Sequence, residues 1–174
     1  MPPAEPDVRV VTTQLLRSWA PHEPDDGGDK HDRGTVAVVG GGTSTPGAVL
    51  LAGLAALRVG AGRLQVVTVD TTSVALAVAL PEAMVSGLPA DEHGSLSPDG
   101  ADELVDTLGG AGTVVLGPGL SGGGVGVLLE RLLPRLGDDV TLVLDAVALT
   151  ALAKQPALLE PLAARTVLPP NSAR

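Results

Sequence analysis

Two glycine-rich turns are the segments of this sequence best suited to chemistry. The first is Gly40-Gly41-Gly42-Thr43-Ser44-Thr45-Pro46-Gly47-Ala48. It places a glycine run and hydroxyl side chains at the start of a helix, which suits an anion or a ligand lying against backbone: glycine lets the main chain approach closely, and a helix N-terminus carries free N–H donors. It lacks the Lys of a P-loop and the glycine spacing of the dinucleotide fingerprint. A flexible strand-to-helix turn accounts for it equally well. The second turn, Gly117-Pro118-Gly119-Leu120-Ser121-Gly122, matches G-x-G-x-x-G. Pro118 stiffens its middle, however, and it follows a late strand, whereas a Rossmann fingerprint follows the first. A Rossmann dehydrogenase is therefore a runner-up. Gly41, Gly42, Gly47 and Gly117 are the candidate crevice residues of the two turns.

Asp70 and Asp145 each come just after the last apolar residue of an expected strand. A carboxylate there points into the ligand crevice of an open α/β sheet and can meet a metal, a ribose or a hydroxyl. Capping the following helix is the competing role, and for Asp70 the preferred one. His22, His31 and His93 lie in polar loops with no serine elbow or carboxylate pattern to suggest a triad, and are read as solvated. Lys30-His31-Asp32-Arg33 reads as a surface charge cluster without metal-ligand spacing. The chain has no cysteine, which removes disulfides, thiolate nucleophiles and zinc–thiolate sites.

The elements that must position these turns follow a repeating pattern: a short β-branched run, a Gly- or Asp-containing turn, then an Ala/Leu-rich stretch. Strands are expected at Thr35 to Val39, Leu64 to Val69, Ala83 to Ser86, Thr113 to Leu116, Thr141 to Leu144 and Thr166 to Leu168. Most are apolar throughout, as in a parallel sheet covered by helices on both faces. Helices are expected at Pro46 to Val59, Thr72 to Leu80, Pro98 to Leu108, Gly124 to Leu136 and Val147 to Ala153, with a short one near Ala157 to Ala163. The helix at Pro46 has the clearest signals: Thr45 to cap it, Pro46 in its first position and Gly60 at its exit. It is apolar on nearly every face and reads as a central core helix. Residues 1–34 form an N-terminal arm and loop, with a short apolar piece around Leu15, Leu16 and Trp19, and residues 35–174 form one domain.

Composition narrows the function. With 44% hydrophobic and 18% charged residues the chain can bury a core. A net charge of -9 offers no basic footprint for nucleic acid or an anionic membrane. Trp19 is the sole aromatic residue, so the core is Val, Leu and Ala, and there is no platform on which to stack bases. The apolar run Ala48 to Leu57 is far short of the ~20 residues a membrane span needs. The Pro- and acid-rich start does not read as a signal peptide, so a soluble, cytoplasmic protein is expected.

Taken in order, several of these segments resemble the ADP-dependent NAD(P)H-hydrate dehydratase family. They are Lys30-His31-Asp32-Arg33-Gly34, Val38-Val39-Gly40-Gly41, Pro46-Gly47-Ala48, Arg58-Val59-Gly60-Ala61-Gly62, Pro81-Glu82, Leu116-Gly117-Pro118-Gly119-Leu120, Leu144-Asp145-Ala146 and Val167-Leu168-Pro169-Pro170-Asn171. The resemblance implies an α/β, three-layer, ribokinase-like fold with a mainly parallel central sheet. It also implies a lyase that repairs the S form of hydrated NADH or NADPH. ADP is the co-substrate, Mg2+ offsets the phosphate charge, and AMP and phosphate are released. By motif, Ala48 and Gly119 correspond to contacts with the hydrated cofactor, Asn171 to the Asn form of a Pro-His or Pro-Asn pair, and Asp145 to a polar crevice position; Arg58 and Gly60 look structural. In the family a Gly-x-Gly-Asp turn follows and supplies the base and the anion hole. Here Ser172-Ala173-Arg174 closes the sequence. The expectation is a fold incomplete at its C-terminus, with no catalytic residue or protein-held metal in this chain and bare strand edges. A homo-oligomer or a complementing C-terminal segment would be the macromolecular partner. A non-catalytic ligand-binding or interaction remnant and a ribokinase-like small-molecule kinase are the alternatives.

Overall fold

The computed structural model describes residues 9–19 and 33–169. Six strands form one sheet: β1 (Thr35–Val39), β2 (Arg63–Val69), β3 (Ala83–Leu88), β4 (Thr113–Leu116), β5 (Thr141–Leu144) and β6 (Thr166–Val167). Every pairing is parallel and the order is β3-β2-β1-β4-β5-β6. The helices are α1 (Thr13–Ser18), α2 (Pro46–Arg58), α3 (Asp70–Ala79), α4 (Ala101–Thr107), α5 (Gly124–Leu132) and α6 (Val147–Leu152). Two of the expected helices, Pro98 to Leu108 and Gly124 to Leu136, are divided in the structure, with 3-10 turns at Pro98–Gly100 and Leu133–Arg135; a third 3-10 stretch runs over Pro156–Arg165.

Parallel strands need crossovers, and crossovers are right-handed. The chain moves one way along the sheet from β1 to β3 and the other way from β4 to β6, so the two sets of helices fall on opposite faces. Val49 and Ala56 of α2 and Leu76 of α3 pack with Val38, Leu64 and Val66 on the first face. Leu104 of α4, Leu128, Leu129 and Leu132 of α5, and Ala148 and Leu152 of α6 pack with Ala37, Val39, Val114, Leu116, Leu142 and Leu144 on the second. Successive residues of β1 therefore serve different layers, which explains its uninterrupted apolar run. The strand β5 departs from that expectation. Leu142 and Leu144 are buried while Thr141 and Val143 on the opposite face are half-buried, because α2 and α3 stay over β1–β3.

The helix α2 is a covering helix, not the central core helix its composition suggested. Gly53 brings it onto the sheet, since a Cβ there would lie 3.1 Å from Leu64 and 3.3 Å from Leu80. Its outer side remains apolar and open, with Leu51 70% exposed and Val59, the residue that follows the helix, 83% exposed. The exit signal holds: Gly60 has φ +104, and the N–H groups of Gly60 and Ala61 close onto Leu57 and Ala56 carbonyls. In α1, Thr12 Oγ1 accepts the Leu15 N–H, and no residue is buried. Among the described residues no helix is long and apolar enough to cross a membrane.

Candidate functional site

The chain reverses direction between β1 and β4, and there the crevice at the carboxyl ends of the strands opens. Both glycine turns leave from this point, one from each strand, and they are fastened to one another. The Gly41 N–H donates to Pro118 O at 2.7 Å and the Gly117 N–H to Val39 O at 3.0 Å. Thr45 Oγ1 donates to Gly119 O at 2.6 Å. This last bond corrects the expected cap: Thr45 occupies the N-cap position of α2 but makes no side-chain cap bond.

Space explains why these positions are glycines. A Cβ at Gly40 would lie 2.2 Å from Pro118 O, one at Gly117 2.0 Å from Asp145 O, and one at Gly119 2.8 Å from Thr45 O and 3.0 Å from Ala48 Cβ. Gly41, Gly117 and Gly119 also hold φ of +71, +127 and +73, which side-chain-bearing residues adopt only with strain. Ala48, Gly41, Gly42, Gly117 and Gly119 are thus gathered at one place. Gly47 sits in the first turn of α2, exposed, with nothing within 4 Å of a would-be Cβ; packing gives it no role. Asn171 and Pro170 lie outside the described residues, as do His22, Lys30, His31 and Asp32.

Buried backbone N–H groups need acceptors. In the two turns the N–H groups of Gly40, Gly41, Thr43, Thr45, Gly117, Leu120 and Ser121 are each taken by a protein oxygen. Among the described residues the N–H groups of Gly42, Ser44, Gly47, Gly119 and Gly122 have no such acceptor; Ser44, Gly47 and Gly122 are exposed, while Gly42 is buried and Gly119 half-buried. Gly42 and Gly119 are neighbours in space, for a Cβ at Gly42 would lie 3.6 Å from Gly119 O. The site therefore presents backbone donors and small side chains, a surface for a ligand with oxygen acceptors and a flat face. A separate cavity of about 270 Å³ opens beside it, lined by Gly122, Gly123, Glu130 and Lys154 among others.

The acidic residues divide. Asp145 is half-buried at the end of β5; its Oδ1 accepts the Ala146 N–H at 2.7 Å and its carbonyl backs Gly117. Asp70 is the first residue of α3 rather than its cap, which is Val69, and its carboxylate leans over Gly87 of β3, away from the turns. His93 is exposed at the rim, its ring against Gly122.

Sequence reasoning missed three groups. Thr68 and Thr72 are a buried hydroxyl pair, 3.3 Å apart, behind Gly41. Ala146 holds φ 50, ψ -124 at the start of α6. Ser95, fully buried, accepts the Ser121 N–H through its hydroxyl. Asp91-Glu92-His93-Gly94 is a recognisable turn sequence, but nothing local ties it to turns so distant in the chain.

Comparison with known proteins agrees with this architecture. A family profile described as NAD(P)H-hydrate dehydratase matches residues 36–173. A protein of Xanthomonas campestris named ADP-dependent (S)-NAD(P)H-hydrate dehydratase is 41% identical over 96% of this chain and 55% of its own length. One of the same name from Lactiplantibacillus plantarum is 33% identical over 85% of this chain and 50% of its own. The chain thus spans about half the length of these relatives. Among solved structures, a ribokinase-like superfamily protein of Enterococcus faecalis superposes with a TM-score of 0.67 at 24% identity, covering 84% of this chain and 48% of that one, a likeness of fold. The ADP/ATP-dependent NAD(P)H-hydrate dehydratase of Bacillus subtilis, crystallised with ATP and Mg2+, superposes with a TM-score of 0.62 at 29% identity, covering 79% and 46%.

Proposed function

The chain belongs to the NAD(P)H-hydrate dehydratase family, and from that premise we propose that it forms the substrate side of an ADP-dependent dehydration of the S form of NAD(P)H hydrate. One observation carries the reading: the amides of the neighbouring residues Gly42 and Gly119 lack an internal acceptor in a crevice walled by glycine and Ala48. In this reading Ala48 and Gly119 lie against the hydrated cofactor, Asn171 approaches from the end of the domain spanning 35–174, and Asp145 keeps the crevice polar. Gly41 and Gly117 let the two turns close on each other.

The terminal phosphoryl of ADP passes to the hydrate hydroxyl with release of AMP; phosphate then leaves, and NADH or NADPH is restored. This chain's residues bind and orient the nicotinamide nucleotide. The sequence contains no Gly-x-Gly-Asp turn, so we assign the base and the ADP pocket to a complementing segment outside the 174 residues. Among the described residues no group of three His, Asp or Glu could hold a metal. In this reading Mg2+ travels with the nucleotide phosphates. We place the protein in the cytoplasm, as a homo-oligomer that buries the apolar outer sides of α2 and α3, where Leu51, Val59, Val74 and Val78 are exposed.

The test follows absorbance at 340 nm as the chain is mixed with the S form of NADPH hydrate, Mg2+ and ADP, with ATP and no-nucleotide controls. Under this assignment the chain alone binds the nicotinamide nucleotide without turnover, and a rise appears when a polypeptide carrying the Gly-x-Gly-Asp turn is added. An ADP-dependent rise from the chain alone would show that its own residues supply the base.

A further inference from the structure

The loop between β3 and α4, Pro89 to Ser97, belongs to neither glycine turn yet touches both. Asp91 to Ser95 closes on itself. The Asp91 N–H donates to Ser95 O at 2.7 Å, the Gly94 N–H donates to Asp91 O at 3.0 Å, and Asp91 Oδ1 accepts the N–H groups of His93 and Ser95, each at 2.9 Å. An antiparallel bridge between Ala90 and Leu96 and the bond from Ser97 N–H to Pro89 O fix its base, and Leu96 is buried in the second core layer. At the tip Gly94 O accepts the Thr43 N–H of the first turn at 2.8 Å, while Ser95 Oγ accepts the Ser121 N–H of the second at 3.1 Å. The fit is close on both sides: a Cβ at Gly42 would lie 2.7 Å from Gly94 O, and one at Gly122 3.1 Å from the His93 ring.

Two consequences follow from this contact pattern. Thr43 and Ser121 are occupied by the hairpin, so it withholds those two amides from a ligand, and of the turn amides without an acceptor only Gly42 and Gly119 belong to residues that are not exposed. It also joins the two turns from outside them, in addition to the bonds Gly41–Pro118 and Thr45–Gly119. A fully buried hydroxyl is costly unless its hydrogen bond is needed, and the bond Ser95 makes is to the turn that carries Gly119. We propose that the Asp91–Ser95 hairpin is a positioning element that sets the separation of the two glycine turns, with Ser95 the positioning residue that holds the Gly119 amide toward a nicotinamide nucleotide. The ligand in that statement rests on the function proposed above; the mechanical coupling does not.

The test uses the full chain as wild type, Ser95→Ala, Asp91→Ala and Asp91→Asn. Hydrogen exchange is read by mass spectrometry over 40–48, 117–124 and, as a core control, 63–69, and NADPH affinity is read by nicotinamide fluorescence. Ser95→Ala is expected to speed exchange in both turns while 63–69 stays protected, and to weaken NADPH binding on the order of tenfold, as for one buried hydrogen bond. Asp91→Ala is expected to do the same. Asp91→Asn, which keeps the accepting oxygen, should match wild type in both readouts. A change confined to 117–124, unchanged exchange, or equal damage by Asp91→Asn and Asp91→Ala overturns the proposal. Should Ser95→Ala also deprotect 63–69, the Asp91 pair decides. A wild type that binds no NADPH overturns the ligand reading alone, because exchange measures the coupling without ligand.

Discussion

Ala146 is a side-chain-bearing residue in a backbone conformation that glycine prefers, φ 50 and ψ -124. Such strain costs on the order of 1–3 kcal/mol, against which glycine's extra chain entropy sets about 0.5–1 kcal/mol. Ala146→Gly is therefore expected to stabilise the chain by about 1 kcal/mol, read as a rise in Tm. Gly117→Ala lies at the other extreme. Its Cβ would meet the Asp145 carbonyl at 2.0 Å with φ at +127, so a loss of about 3 kcal/mol or more is expected by calorimetry. Gly47 separates packing from binding. With open space around it, Gly47→Ala should gain about 0.5–1 kcal/mol from helix propensity alone. If it also weakens NADPH, Gly47 is a ligand residue; if affinity is unchanged, its place in the crevice is refuted.

Within α3 the direction of a side chain decides its energetic weight. Leu76 is 3% exposed beneath the helix and Val74 is 76% exposed above it. Leu76→Ala should cost about 2–5 kcal/mol in urea unfolding, and Val74→Ala no more than about 0.5 kcal/mol. Comparable losses would mean that the outer side of α3 is covered in solution. Sequence could see β1, β2, β4 and β5 most clearly because each is an apolar run closed by Gly40, Asp70, Gly117 or Asp145. It stopped β3 at Ser86, where polarity and glycine break the run, although Ser86 and Gly87 pair with Val67 and Thr68 in register. It gave Thr45 to the nearest helix because capping is a local rule; its partner, Gly119, is 74 residues away. The two glycine turns were legible as separate motifs. Their junction depends on the strand order, and so do the ties made by Ser95 and Gly94, for which no residue pattern codes.

For the molecule as a whole, the outward sides of α2 and α3 carry little besides Arg58 at one end and Asp70 at the other as charge. A chain of net charge -9 repels its copies everywhere else more strongly than through such a face. Sedimentation velocity should show association of the wild type and a species near 17.3 kDa for the double variant Leu51→Glu, Val78→Glu. A monomeric wild type at about 50 μM, far above the Kd of a specific pair, would end the homo-oligomer reading.

Trp19, 59% exposed on α1, is the one aromatic ring in a protein without Phe or Tyr. The interior is consequently dark in the near ultraviolet, and unfolding of the sheet would leave tryptophan emission almost unchanged. The same emptiness makes the chain a two-colour ruler. Indole emission overlaps the absorption of a reduced nicotinamide ring, so energy transfer from this single donor to a bound NADPH would report the distance from arm to crevice with no competing chromophore.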